Sequence, residues 1–145
     1  MKNYLMICIL LISFSSFYSC GEEIDGIVAT IDGESFTANN SIAFSLNSSD
    51  ILTITGFEDT THLSFSVVYG GEGNYDVSEF PLLINYFQGP TDSIYYNGVS
   101  GNIEISSFSD DNVQGTFDFV IRQVDDDGNV LDEIDVEDGE FNITQ

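Results

Sequence analysis

Residues 113–124 read VQGTFDFVIRQV, and apolar and polar side chains alternate along this stretch. Phe117, Phe119 and Ile121 share one side of an extended strand, because successive side chains of a strand point to opposite faces. Arg122 lies on the other side, where it can meet an acid. Period two of this kind predicts a β-strand with one buried face, and we expect the three apolar side chains to lie in a core.

The same period recurs along most of the chain after residue 26, with turn residues between the apolar runs. Strands are predicted at 27–31, 35–38, 42–46, 51–57, 63–69, 75–77, 94–96, 103–108, 113–124, 130–136 and 141–144. Three more rows of alternating apolar side chains are predicted to be core: Ile42, Phe44 and Leu46; Leu63, Phe65, Val67 and Tyr69; and Ile103 with Ile105.

The fold class follows from this pattern, because residues 26–145 contain no convincing amphipathic helix. We predict a single all-β domain, an antiparallel meander that forms a β-sandwich or a closed β-barrel, since either arrangement buries the apolar rows. The longest segment predicted to be irregular is Ser78–Ser93, which contains both prolines of the chain.

The first 19 residues have a different pattern. Lys2 supplies a positive charge and Tyr4–Ile12 (YLMICILLI) an apolar run that is too short to span a membrane. This combination is typical of a signal peptide, so we predict a signal-peptide helix over 1–19.

Ser13–Cys20 (SFSSFYSC) resembles a lipobox, the motif whose cysteine receives a diacylglycerol before cleavage on its N-terminal side. This resemblance implies that Cys20 is lipidated and begins the mature protein. The acidic residues that follow it predict a short tether over 20–25. The alternative is ordinary secretory cleavage after Ser15, which would leave Cys20 as a free thiol. An outer-membrane location, periplasmic or surface-exposed, is predicted.

The charge balance is extreme, with 25 acidic residues against Lys2 and Arg122. Lys2 lies in the signal peptide, so Arg122 is the only basic residue of the predicted mature chain other than histidine. Such a domain repels phosphate backbones and anionic lipid headgroups, which argues against nucleic-acid binding. We predict membrane attachment through lipid on Cys20 and a possible protein or glycan partner.

Residues suited to catalysis are few. His62 is the only histidine, and Ser64 falls on the same strand face, but no serine lies in a G-x-S-x-G turn. Cys8 lies in the signal peptide, so no thiolate cluster is available to the mature chain. We predict a chain that is not an enzyme and has no catalytic residues; a small hydrolase is the third alternative.

The acidic stretch Asp125–Asn129 (DDDGN) is the best candidate for a metal site. Carboxylate and amide oxygens suit calcium, so Asp125, Asp127 and Asn129 are possible ligands, and no other cofactor is predicted. The competing prediction is a hairpin turn between strands 113–124 and 130–136, with Gly128 at its tip.

Aromatic residues cluster within and just after the segment 78–93. Tyr86, Phe87, Tyr95 and Tyr96 are predicted as a possible ligand or partner surface, because long loops often carry binding residues. The alternative is that they close one end of the barrel or sandwich as apolar plugs.

Four short motifs are spaced along the domain: 29–36 (ATIDGESF), 101–108 (GNIEISSF), 115–119 (GTFDF) and 138–143 (DGEFNI). Their spacing resembles small uncharacterised β-rich lipoproteins of the Bacteroidetes type. This resemblance implies a fold and an envelope location but no activity. The predicted function is therefore a lipid-anchored envelope lipoprotein that acts as a non-catalytic binding or interaction module; the alternative is a passive structural or assembly accessory.

Overall fold

The computed structural model describes residues 24–46, 51–68, 70–78, 84–88 and 96–144. Within these ranges the chain is all-β and contains no helix, as predicted. Ten strands are present in the described part: β1 (Gly26–Ile31), β2 (Glu34–Thr37), β3 (Asn40–Leu46), β4 (Ile51–Glu58), β5 (Thr61–Val68), β6 (Gly73–Asp76), β7 (Ile84–Gln88), β8 (Asn97–Phe108), β9 (Asn112–Val124) and β10 (Val130–Thr144). The predicted signal peptide 1–19 and Cys20 lie outside the described residues.

The strands form two antiparallel sheets with a sandwich-like arrangement. The six-stranded sheet has the order β2-β1-β10-β9-β8-β6, and the four-stranded sheet has the order β3-β4-β5-β7. In the described part each sheet ends in edge strands, so the closed-barrel alternative is wrong. Two sheets that face one another bury the apolar rows without the strand tilt and stagger that closure of one sheet would require.

The topology is only partly a meander. Adjacent hairpins join β3, β4 and β5, and again β8, β9 and β10, but β1 pairs with β10 from the other end of the chain. The strand before β7 also lies in the other sheet, because β6 pairs with β8 while β7 pairs with β5. A period-two pattern does not predict these long-range pairings, because it indicates which side chains share a face of a strand but not which strands are adjacent in a sheet.

The core lies between the two sheets and is centred on Phe65, whose side chain has no exposed surface. Its ring centroid lies 4.9 Å from that of Phe117, 5.9 Å from Phe119 and 6.0 Å from Phe141. Aromatic pairs at these separations stabilise a core beyond the area that they bury. The rows predicted as core on β5, β8 and β9 are confirmed within the described residues: Leu63, Phe65, Val67, Ile103, Ile105, Phe117, Phe119 and Ile121 are all buried.

The row predicted as core on β3 is wrong. Ile42 is 49% exposed and Phe44 is 44% exposed, while Ala43 between them is buried. The strand presents its small residues to the core because the opposing sheet approaches closely there: a Cβ placed on Gly26 would lie 3.1 Å from the Ser41 hydroxyl oxygen. The side chain of Leu46, and Tyr69 of the β5 row, lie outside the described residues.

Two glycines of β9 and β10 lie beneath aromatic rings of the neighbouring strand. Gly115 is paired with Phe141, and Gly139 is paired with Phe117. A Cβ on either glycine would lie 2.4 Å from a ring carbon of its partner. The motifs 115–119 and 138–143 are therefore two halves of one packing arrangement, in which each motif supplies a glycine and a phenylalanine.

The segment Ser78–Ser93, predicted to be irregular, contains strand β7. Ile84 and Tyr86 point into the core and the strand pairs with β5, so the alternation of INYFQ is a strand pattern despite the flanking prolines. The strands predicted at 130–136 and 141–144 are one strand, β10, with a register shift between Val136 and Gly139. Tyr96 precedes β8 rather than ending a strand.

Candidate functional site

A concavity lies on the outer face of the six-stranded sheet, where two register shifts flank the middle of β9. One shift lies in β8 between Gly98 and Ser100, and the other lies in β10 between Val136 and Gly139. Each inserts an extra residue, and a bulge of this kind bends its strand and increases the local twist. The resulting concavity has a volume of about 630 Å³.

We name this concavity the acidic dish, because its lining includes five carboxylates, those of Asp118, Asp135, Glu137, Asp138 and Glu140. All five side chains are exposed. In the ranges that the structure describes, no group of three or more His, Cys, Asp or Glu side chains is arranged so that it could hold a metal ion. The five carboxylates give the dish a negative field that attracts cationic groups and repels anions.

The backbone beneath the dish depends on residues with left-handed conformations. Asp138 has a φ of 50° at the β10 bulge, and Gly101 has a φ of 125° beside the β8 bulge. A Cβ on Gly101 would lie 2.2 Å from the carbonyl oxygen of Asp118. Only glycine fits there, so the shape of the dish is built into the strands that form its floor.

The outer face of the four-stranded sheet differs sharply from the acidic dish. Among the described residues it carries no carboxylate, lysine or arginine, and we name it the uncharged face. Large apolar side chains are exposed on it, including Val68, which is 50% exposed. Its described members are Asn40, Ile42, Phe44, Ile51, Thr53, Thr55, Phe57, His62, Ser64, Ser66, Val68 and Asn85.

The centre of the uncharged face is a pair of hydroxyl contacts between β4 and β5. The hydroxyl oxygens of Thr53 and Ser66 are 2.9 Å apart, and those of Thr55 and Ser64 are 2.8 Å apart. Each pair is directly opposite in the register. Cross-strand hydroxyl pairs stabilise a sheet and satisfy the polar atoms of each side chain internally.

His62 lies at one end of this face and packs against Phe57. The two rings are stacked, with centroids 4.6 Å apart and planes 11° from parallel. Burial lowers the pKa of His62, which favours the neutral imidazole. The hydroxyl of Ser64, the residue that shares its strand face, forms its hydrogen bond with the hydroxyl of Thr55.

The tyrosines predicted as a ligand surface lie in the interior where the structure describes them. Tyr86 and Tyr96 are 5% and 6% exposed, and their rings meet edge to face with centroids 5.7 Å apart. The Tyr96 hydroxyl donates a hydrogen bond of 2.7 Å to Oδ2 of Asp132. Burial, and then this carboxylate, raise the pKa of Tyr96 to about 12. Tyr95 and the side chain of Phe87 lie outside the described residues, and ligand binding by this group stays a prediction.

Asp125 organises the turn between β9 and β10. Its Oδ1 accepts hydrogen bonds from the backbone N–H groups of Asp127, at 3.0 Å, and Asn129, at 2.7 Å. Its Oδ2 accepts one of 2.9 Å from Nδ2 of Asn129. These bonds, led by the Asn129 side chain, lower the pKa of Asp125. The predicted hairpin with Gly128 in its turn is confirmed by the β9–β10 register, and the calcium site stays a prediction.

Arg122 meets an acid across the β9–β10 pair, as predicted for the polar side of its strand. Its Nε donates a hydrogen bond of 2.8 Å to Oε2 of Glu133, and its Nη2 contacts the same oxygen. Both side chains are partly exposed, so the ion pair contributes little to the free energy of folding. It does neutralise the guanidinium beside an otherwise acidic surface.

Sequence reasoning missed the two outer faces as features. The acidic dish depends on bulges, which period-two alternation does not reveal. The uncharged face did leave a signal, because Asp50 is the only charged residue between Ala38 and Phe57. Within that run, the sequence pattern predicts Ile42, Phe44 and Leu46 as core instead of as part of a neutral surface.

Comparisons with other proteins add a family but no activity. No helix in the described ranges is long and apolar enough to cross a membrane. Neither the curated proteins nor the solved structures include a match to this chain. A family model described as "Domain of unknown function (DUF6252)" matches residues 25–143, which span all ten strands with the exception of the last residue of β10. The chain therefore belongs to the DUF6252 family.

Proposed function

We propose that this chain is a lipid-anchored lipoprotein of the cell envelope whose sandwich domain acts as a non-catalytic interaction module. The observation that carries the proposal is the position of Cys20, which follows a signal-like segment and precedes the first strand at Gly26 by six residues. Six extended residues reach at most about 20 Å. A lipid on Cys20 would therefore hold the domain close to the membrane surface.

The charge distribution supports attachment by lipid over attachment by electrostatics. Most of the 25 acidic groups lie in the described ranges, and Arg122 is already paired with Glu133. A domain of this kind is repelled by anionic headgroups, so it needs a hydrophobic anchor to stay at a membrane. Each buried methylene of an acyl chain contributes about 0.8 kcal/mol, and two or more chains give stable attachment.

An interaction module is favoured over catalysis because the two outer faces suit contact with other molecules. The acidic dish attracts cationic groups of a protein partner, and the uncharged face offers exposed apolar side chains. The histidine and serine of the third alternative, a small hydrolase, have other contacts: His62 stacks on Phe57, and the Ser64 hydroxyl is hydrogen-bonded to Thr55. A passive accessory of the envelope is the alternative, and it would use neither face to bind a partner.

Detergent phase partitioning of the full chain and of Cys20→Ser, produced in a Gram-negative host, tests the anchor. We expect the wild-type chain in the detergent phase with the intact mass of a cleaved, acylated protein. Cys20→Ser should move to the aqueous phase. An unmodified Cys20 in the processed wild-type protein would refute the lipoprotein proposal, and it would support secretory cleavage after Ser15.

A further inference from the structure

Strand β3 is the longest edge strand in the described part, and it lacks the features that usually protect an edge from pairing. It is seven residues long, whereas the other edge strands in the described part have four residues (β2 and β6) or five (β7). Its sequence, NSIAFSL, contains no charge and no proline, and its register with β4 has no bulge. An open row of backbone N–H and C=O groups pairs readily with another strand. Proteins usually prevent this by making the edge strand short or by placing a charge, a proline or a bulge in it, and β3 has none of these.

The side chains of β3 are also arranged for pairing. Ile42 and Phe44 are about half exposed on the outer face, although both are large and apolar. They border the uncharged face, which continues across β4 and β5. The open edge and the exposed apolar row therefore form one continuous surface at one side of the four-stranded sheet.

Charge restricts where a second copy of this chain can approach. Two copies of a chain with a formal net charge of −23 repel one another strongly wherever their acidic surfaces meet. The strand β3 itself carries no carboxylate, so two copies that pair along it bring no acidic side chain of the strand into the contact; one described acid, Asp25, lies beside its first residues. A partner rich in lysine and arginine would be drawn to the acidic dish instead, on the other sheet.

We propose that β3 pairs with β3 of a second copy of this chain about a two-fold axis. Antiparallel pairing of a strand with itself is self-complementary, as a two-fold interface requires. Residues directly opposite one another in an antiparallel pair point to the same face of the sheet. The two uncharged faces therefore lie on one side only if residues of the outer face are paired with residues of the outer face.

The register centred on Ala43 pairs all seven residues of the strand. It places Ile42 of each copy opposite Phe44 of the other, and aromatic residues paired with β-branched residues are favourable cross-strand neighbours. The two four-stranded sheets then become one eight-stranded sheet. Its outer face is uncharged in the described part of both copies, and the acidic dishes lie on the opposite sheets.

Sedimentation equilibrium of the full chain in a density-matched detergent tests this assembly, because it counts the copies per particle. The test variant is Phe44→Lys, which adds a charge at the edge on a side chain that is already solvent-exposed in one copy. The matched control is Val68→Lys, which adds the same charge to the same face on β5, at a residue that is 50% exposed against 44% for Phe44.

We expect the wild-type chain and Val68→Lys to form particles of two copies, with a protein mass twice that of one processed chain as measured by mass spectrometry. Phe44→Lys should raise the dissociation constant of the dimer more than tenfold while its thermal unfolding stays cooperative. A wild-type chain that remains a single copy at about 100 μM overturns the proposal. A single copy is also expected if β3 pairs only with a different protein, so that alternative is excluded by a dimer. Equal loss in Val68→Lys and Phe44→Lys overturns edge pairing as well, since it indicates stacking of the uncharged faces.

Discussion

Substitution of Gly115 by alanine tests the packing of the two glycine motifs directly. A Cβ at this position would lie 1.9 Å from the carbonyl oxygen of Glu104 on β8 and 2.4 Å from Cζ of Phe141 on β10. The phenylalanine ring can turn aside, but the carbonyl belongs to the backbone of a paired strand. Relief of the clash therefore requires β8 and β9 to separate locally.

The magnitude follows from two opposing effects. Overpacking in a well-packed site costs about 1–3 kcal/mol, and the upper end applies because the obstacle is backbone. Alanine restricts the unfolded chain, which returns about 0.4–1 kcal/mol. We expect a net loss of about 2 kcal/mol from the free energy of unfolding, a large fraction of the roughly 5–15 kcal/mol typical of a domain.

Urea unfolding followed by far-UV circular dichroism measures this loss. With a slope of about 1–3 kcal/mol per molar urea, the midpoint should fall by about 1 M. Gly70→Ala is the matched control, because a Cβ there meets no atom within 4 Å and its φ is not left-handed. The control should leave the midpoint nearly unchanged. If both variants unfold at the same urea concentration, the close approach of β8 and β10 to Gly115 is refuted.

Two further predictions concern ionisation and metal binding. The pKa of Tyr96 in the folded state is raised to about 12 from an ordinary 10.0, so its contribution to stability is complete below pH 10 and is lost as the pH rises towards 12. Alkaline unfolding should show this loss of stability in the wild type and a smaller loss in Tyr96→Phe. Equal pH profiles of the two proteins would contradict the raised pKa. Calcium at millimolar concentration should raise the melting temperature through the turn at Asp125 and Asp127, and a thermal scan with no shift, or with a shift that persists in Asp125→Asn and Asp127→Asn, would remove the calcium site.

The strands and several of their buried faces could be predicted because alternation is a local property. Phe65 on β5 and Phe117 on β9 were assigned to the core from their neighbours in sequence alone, and the turn at Gly128 from its residue types. The Arg122 side chain was placed on the polar side of β9 for the same reason. The lipid anchor at Cys20 is likewise a sequence prediction, since it rests on a short linear motif outside the described residues.

Long-range packing decided the rest. Alternation along β3 identifies two faces but cannot say which one a second sheet covers, so the prediction that Ile42 and Phe44 are core is wrong. The pairing of β1 with β10 and the two bulges beneath the acidic dish depend on strands distant in sequence. Composition determines that the domain is acidic, and alternation determines that it is β-rich. The tertiary structure decides that, among the described residues, one outer face carries no carboxylate, lysine or arginine, because only the strand order brings the uncharged segments side by side.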